Sequence, residues 1–388
     1  MLKAKQIYLF FLFFLFIIFS HISAQDDDFV KFGGAVRYNL LLQDYESDMN
    51  TNDGQFTWDT WRLNVKAKTN GVLLDFEYRF YPTFGTHFIH HGWLGWDFNK
   101  NLQMQLGVTQ VPFGNLTYAS HSWWFQIPYY VGLEDDYDMG VKFIYTKDNF
   151  ELNLAYFMQP EPAGPGPGDV SYGVGGSGRY SYDVIPSTGA SNQERNQFNL
   201  RGTYNIVHGK KSNTKVGLSA QYGGIYNSVL DEVNPGVAFA GHVDGNYGRF
   251  NVKAEYITYS FDAKDDTGAE LTTVAMGAYG SGTYPVAAEA SMGVIGVSYT
   301  LPVELGPISS LVFYDDYSIV MKAEDAFEDT QHNVLGFLAI AGNIYTYFDI
   351  AMGKNQPWLT DNFGTGLGAG VPGAEWNMRY NINIGYYF

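Results

Sequence analysis

Apolar and polar residues alternate with period two over most of this 388-residue chain. That period places successive side chains on opposite faces of a strand. The last thirteen residues show it most cleanly: Met378, Tyr380, Ile382, Ile384, Tyr386 and Phe388 share one face, and Asn377, Arg379, Asn381, Asn383 and Gly385 share the other. Early in the chain Val30, Phe32, Gly34, Val36, Tyr38, Leu40 and Leu42 alternate with Lys31, Gly33, Ala35, Arg37, Asn39 and Gln43. Asn70-Gly71 is the signature of a two-residue hairpin, because both residues tolerate the positive φ that such a turn demands. Residues equidistant from it must then oppose each other. On the apolar face this pairs Val65 with Phe76, Leu63 with Tyr78 and Trp61 with Phe80; on the polar face it pairs Lys66 with Asp75, Asn64 with Glu77 and Arg62 with Arg79. All six apolar partners match, which supports the register.

The alternation continues through a fourth strand at Phe88–Phe98, a fifth carrying Leu102 to Val108, a sixth from Val141 and a seventh from Phe150. Further strands begin near Gln197, Lys215, Gly236, Arg249, Ser291, Ser309, Gln331 and Ile344, so that sixteen strands are expected in all. The connections alternate short and long. Short ones fall at Asn70-Gly71, Asn99 to Asn101, Asp148-Asn149, Val207 to Asn213, Asn246-Tyr247, Leu301 to Pro307 and Ala341 to Asn343. Long ones fall near 43–55, 81–87, 110–138, 159–195, 227–235, 262–289, 323–330 and 354–375. A secreted sandwich needs no such rhythm, and it would leave the aromatic last strand as an aggregation-prone edge. The expected fold is therefore all-β: a transmembrane antiparallel barrel of about sixteen strands with both termini on the short-turn side. The apolar set faces lipid, and the polar set faces a lumen wide enough for water. Two long connections, Gln159 to Asn192 and Asn355 to Gly373, are low-complexity and read as surface loops.

Composition narrows the class. Residues 1–24 carry Lys3 and Lys5, an apolar run from Ile7 to Phe19 and a small-residue end, the pattern of a secretory signal peptide, which leaves 25–388 as one barrel domain. The run is too short to span a bilayer. Without Lys3 and Lys5 the 23 bases become 21 against 40 acids, a net charge of −19, which argues against nucleic acid as a partner. The absence of cysteine excludes disulfides, thiolate metal sites and a lipoprotein anchor. The abundance of tyrosine and phenylalanine, 30 and 29 residues, suits the aromatic girdles of a membrane barrel. A soluble, aromatic-rich carbohydrate-binding β-protein remains an alternative, as does a barrel enzyme. No serine, however, sits at a nucleophile elbow, and no Gly-Gly pair opens a helix to cradle phosphate.

One stretch carries more specific information. Gln105 to Gly114 runs as a strand into a Pro112-Phe113-Gly114 turn. The loop after it holds Trp123, Trp124, Tyr129, Tyr130, Glu134, Asp135, Asp136 and Asp138. Together with the Trp58-Asp-Thr-Trp-Arg62 strand before it and Gly140-Val-Lys142 after it, this segment resembles the phosphate-selective porin O/P family. The match covers the first third of the chain; beyond it only the barrel rhythm agrees. The resemblance implies a third external loop folded into the lumen, where it narrows the pore, and a homotrimer. The last strand likewise resembles the closing strand of outer-membrane barrels, which implies that Phe388 is read by the barrel-assembly machinery.

The residues themselves speak about the solute. Selecting phosphate requires Arg or Lys at the narrowest point, yet Asn115 to Asp138 has neither and carries four carboxylates. Such a ring favours cations or neutral polar solutes; alternatively Glu134 to Asp138 sit at the extracellular rim. Candidate pore-lining residues are Arg37, Arg62, Lys66, Asp75, Glu77 and Arg79 on the first three strands, the loop acids Glu134, Asp135, Asp136 and Asp138, and Lys142, Arg201 and Arg379 on later strands. Arg62 and Arg79 are directly opposed like charges, an arrangement that strands avoid; acids of the third loop across the pore would balance them. His87, His90, His91 and His121 cluster in sequence, but His90 and His91 should point to opposite faces, so no metal site is expected, and no cofactor. The expected function is an outer-membrane porin passing small polar solutes or ions by diffusion, without catalysis. A TonB-type receptor is not expected, since the 364 residues of 25–388 cannot supply a plug and twenty-two strands.

Overall fold

The structure, a computed structural model, describes residues 28–45, 54–163, 178–280, 283–360 and 363–388. The expected signal peptide lies outside them. The first half of the chain supplies β1 (Phe29–Gln43), β2 (Gln55–Thr69), β3 (Val72–Tyr81), β4 (Thr86–Asn99), β5 (Leu102–Gln110), β6 (Tyr137–Lys147), β7 (Phe150–Pro160), β8 (Asp183–Val184) and β9 (Asn192–Gly209). Then come β10 (Ser212–Asn227), β11 (Glu232–Tyr247), β12 (Phe250–Phe261), β13 (Thr273–Gly277), β14 (Tyr284–Ala287), β15 (Glu289–Leu305), β16 (Ile308–Lys322), β17 (Thr330–Ala341), β18 (Ile344–Lys354) and β19 (Asn377–Tyr387). Sixteen of these close into an antiparallel barrel; β8, β13 and β14 form a separate three-stranded sheet.

Closure is made by β1 on β19, with Val36 opposite Tyr386, Tyr38 opposite Ile384 and Leu40 opposite Ile382. Phe388 and Gly34 exchange both backbone hydrogen bonds, at 3.0 and 3.1 Å, which ties down the last residue. At the Asn70-Gly71 turn both residues have positive φ, and the six pairs expected from it all form, Arg62 opposite Arg79 included.

The outer wall is apolar, with Leu218 74% exposed and Phe239, Tyr256 and Ile295 more than half exposed. Lining an aqueous exterior with such a surface would be costly; against hydrocarbon it costs nothing. Leu218 lies near the middle of β10. The variant Leu218→Arg should therefore lose about 2–4 kcal/mol of folding stability in liposomes. Urea titration checks this; an unchanged midpoint would mean that this face does not meet lipid.

Several expectations need correction. The turn expected at Asn246-Tyr247 forms two residues later, because Tyr247 pairs with Phe250 and extends both strands. The connections near 81–87 and 227–235 are short, spanning 82–85 and 228–231. In the second, the Asn227 side-chain carbonyl accepts from Val229 N and Leu230 N at 3.0 and 3.1 Å and closes the turn locally. His90 and His91 do not point apart. A β-bulge places His90 as the extra residue between the Glu77–His91 and Tyr78–Ile89 pairs, and both rings pack on Tyr137. A bulge breaks the period of two.

The two low-complexity connections are not simple surface loops either. In their described parts Tyr180, Tyr182, Leu359 and Leu367 are at most 4% exposed. They join Met276 of β13 and Tyr284 of β14 in an apolar cluster inside the barrel. Glycine makes this packing possible rather than opposing it. A Cβ on Gly366 would fall 1.9 Å from the Asn355 carbonyl oxygen, so only glycine lets the two backbones touch.

Candidate functional site

The connection between β5 and β6, residues 111–136, turns into the lumen and crosses it. It leaves β5 at Pro112-Phe113-Gly114, where Gly114 has φ of +61° and a Cβ would overlap the Glu255 carboxylate. The segment then bonds to the far wall. Gly114 N donates to Ser219 Oγ of β10 at 3.1 Å, and Asn115 N to Glu255 Oε2 of β12 at 3.0 Å. His121 N and Ser122 N both donate to Asp316 Oδ2 of β16, at 2.7 and 2.9 Å, and Ile127 N donates to Ser318 Oγ at 3.1 Å. The loop thus lies against the sector around β10, β12 and β16 and leaves the opposite sector open.

That open sector is four adjacent strands, β19, β1, β2 and β3, and each presents one arginine: Arg379, Arg37, Arg62 and Arg79. Between them and the loop lies a cavity of about 420 Å³. Its loop side is aromatic, with Trp123, Trp124, Phe125 and Tyr129. Among the described lining residues Asp59 is the one carboxylate. The arginines are held in place. Arg37 pairs with Asp59 at 2.8 Å, and Arg62 and Arg79 share the Glu77 carboxylate. Arg79 stands 4.6 Å over the Tyr180 ring, and Arg379 5.0 Å over Trp124. Glu77, set between Arg62 and Arg79 on the same wall, makes the opposed pair tolerable. The Nε–H groups of Arg62 and Arg379 are buried with no hydrogen-bond partner among the described residues.

The other candidate residues stand elsewhere. Lys66 and Asp75 pair at 3.1 Å. Lys142 donates to the Gln110 carbonyl at 2.7 Å, and Arg201 holds the loop entrance by donating to the Gly114 carbonyl at 2.8 Å. Of the loop acids, none lines the cavity, and Glu134, Asp135, Asp136 and Asp138 are at most 6% exposed. Glu134 accepts from Ala119 N at 3.0 Å and so folds the loop on itself. Burial, with the Glu255 charge added to it, holds the Glu134 carboxyl well above the usual range. Burial pushes Asp135 up to about 7 against the pull of its hydrogen bond from Tyr180.

Sequence reading missed Asp59 because β2 carries a bulge there: Arg37 opposes Thr60 and Tyr38 opposes Trp58, leaving Asp59 as the extra residue. A signal existed. Trp58 and Trp61 both face outward, 44% and 39% exposed, and an odd spacing between two outward residues requires a bulge between them. Tyr118, Tyr180 and Trp358 at the cavity come from irregular segments, which have no period to read.

No family model and no curated protein matches the sequence. Solved structures do match in fold. The outer-membrane protein OmpT of Vibrio cholerae, in a trimer form, is 16% identical over 94% of this chain and all of that one, with a TM-score of 0.59. An anion-selective porin from Comamonas acidovorans is 12% identical over 93% of this chain and all of that one, with a TM-score of 0.57. The outer-membrane channel DcaP of Acinetobacter baumannii is 11% identical over 94% and 99%, with a TM-score of 0.56. At these identities the likeness is one of fold.

Proposed function

We propose that this chain is an outer-membrane porin through which small hydrophilic solutes diffuse, anions in preference to cations. The observation that carries the reading is the set of four arginines on adjacent strands facing a lumen cavity in which Asp59 is the one carboxylate among the described lining residues. Fixed guanidinium groups replace part of an anion's hydration and repel cations from the same space. This sign is opposite to the one suggested by the composition of segment 111–136, because its acids are buried away from the cavity. In this reading segment 111–136 is the constriction and Arg37, Arg62, Arg79 and Arg379 are its filter. The apolar outer wall and the likeness in fold to outer-membrane channels support the location. Homotrimer formation and recognition of Phe388 by the assembly machinery belong to the same proposal.

Reconstitution in planar bilayers tests it. Discrete current steps are expected, with a reversal potential of the chloride-selective sign in a KCl gradient. Added phosphate should lower the chloride current if it enters the same cavity. A silent bilayer would reject the channel, and a potassium-selective potential would reject the filter.

A further inference from the structure

Carboxylates that do not line the arginine cavity converge from five segments of the chain. Asp136 ends segment 111–136, Asp138 opens β6, Glu161 follows β7, Asp183 lies in β8 and Glu194 is near the start of β9. Oxygen atoms of Asp136, Asp138 and Asp183 lie within 4.8 Å of one another. Arg179 donates to Asp183 Oδ2 at 3.0 Å, Gln197 to Asp138 Oδ2 at 3.1 Å, and the Ser181 and Val184 amides to Glu161 and Glu194 at 2.8 Å each. These bonds leave the cluster incomplete. Asp136 Oδ1, Asp138 Oδ1, Asp183 Oδ1 and Glu161 Oε2 are buried with no hydrogen-bond partner among the described residues, and these residues are at most 6% exposed.

Unpaired carboxylate oxygens buried side by side are among the costliest arrangements in a protein, and they persist only with protons or a cation among them.

We propose that Asp136, Asp138, Asp183 and Glu161 bind a divalent cation, with Ca²⁺ the best fit. All the donors are oxygen, with no imidazole or thiolate, which disfavours zinc and copper. Their irregular disposition suits calcium's tolerant coordination better than the strict octahedron of magnesium. The ion joins the end of segment 111–136 to β8, and β8 pairs with β13 of the inner sheet. It therefore fastens the loops that shape the arginine cavity while touching none of the four arginines. The site does not depend on which solute the channel passes.

The test uses the full barrel refolded in detergent free of lipopolysaccharide, titrated with Tb³⁺ and then with Ca²⁺. Tyr180 and Tyr182 flank Ser181 in the cluster and can sensitise terbium emission. One saturable equivalent is expected, displaced by Ca²⁺. It should be lost in the double variant Asp136→Asn/Asp183→Asn and, separately, in Glu161→Gln, each checked for a folded barrel by heat-modifiable migration. Absence of saturable emission in the wild type would overturn the proposal and assign the cluster to shared protons; folded variants that still bind the ion would overturn it by placing the ion elsewhere. Bilayer conductance, measured separately, bears on the channel and not on this site.

Discussion

Replacing Arg37 and Arg379 together by glutamine should abolish the anion preference proposed for the channel. The two residues sit on adjacent strands, β1 and β19, and both line the cavity. A unit charge acting on a permeating ion at about 8 Å through a wet lumen, with an effective dielectric near 40, contributes about 1 kcal/mol. That is a factor of about five in relative permeability per charge. Two arginines removed should therefore shift the ratio of chloride to potassium permeability by about twenty-five-fold, before salt screening reduces the figure. Removing Arg37 also frees the Asp59 carboxylate, which pairs with it at 2.8 Å, so the change should go past neutrality toward cations. Reversal potentials across a KCl gradient measure the outcome. A ratio equal to that of the wild type would mean that ions do not pass through this cavity. The conservative pair Arg37→Lys/Arg379→Lys should keep the sign of the preference, which separates lost charge from lost packing against Trp124.

Physical reasons decide which parts of this molecule are legible in its sequence. The wall is legible because each strand has one face toward lipid and one toward the lumen, so its pattern repeats every two residues. The Asn70-Gly71 turn even fixes the pairing of Arg62 with Arg79, since a two-residue turn leaves no freedom in register. Legibility fails wherever the period breaks. The bulges at Asp59 and His90 each move a polar residue to a position that strict alternation assigns wrongly. It fails again in the inward loops. The described residues of 178–191 and 355–376 look like solvent-exposed linkers by composition, yet they bury tyrosine and leucine against β13 and β14. A barrel wide enough for a channel offers interior surface to any loop that turns inward, and nothing local in the loop records that choice. For the same reason the four acids Glu134, Asp135, Asp136 and Asp138 could be counted in the sequence but not placed. Counting them gives a negative constriction; in the structure all four are buried and none lines the cavity, which the arginines of the wall face.

The attachment of segment 111–136 to β16 should be the easiest to break by a single substitution, with a large effect on conductance. Asp316 is fully buried and accepts three hydrogen bonds from the loop: His121 N at 2.7 Å, Ser122 N at 2.9 Å and the His121 ring nitrogen Nδ1 at 2.7 Å. His121 Nε2 meets Asn251 Oδ1 on β12 at 2.6 Å, so this one residue is held by two strands. In Asp316→Ala the two backbone amides and the ring lose their acceptor while still buried, which should weaken the attachment by about 3–5 kcal/mol. The wall should survive, because β16 keeps its ladders to β15 and β17 and no outward residue changes. The bonds of Gly114 and Asn115 to β10 and β12 also remain, so the loop is freed at its tip and not at its root. The expected result is a larger single-channel step with more current noise, together with weaker ion selectivity and near-wild-type thermal stability of the barrel. Asp316→Asn keeps one side-chain oxygen and should fall between the two. An Asp316→Ala channel with the conductance and selectivity of the wild type would mean that this part of the loop does not set the width of the pore.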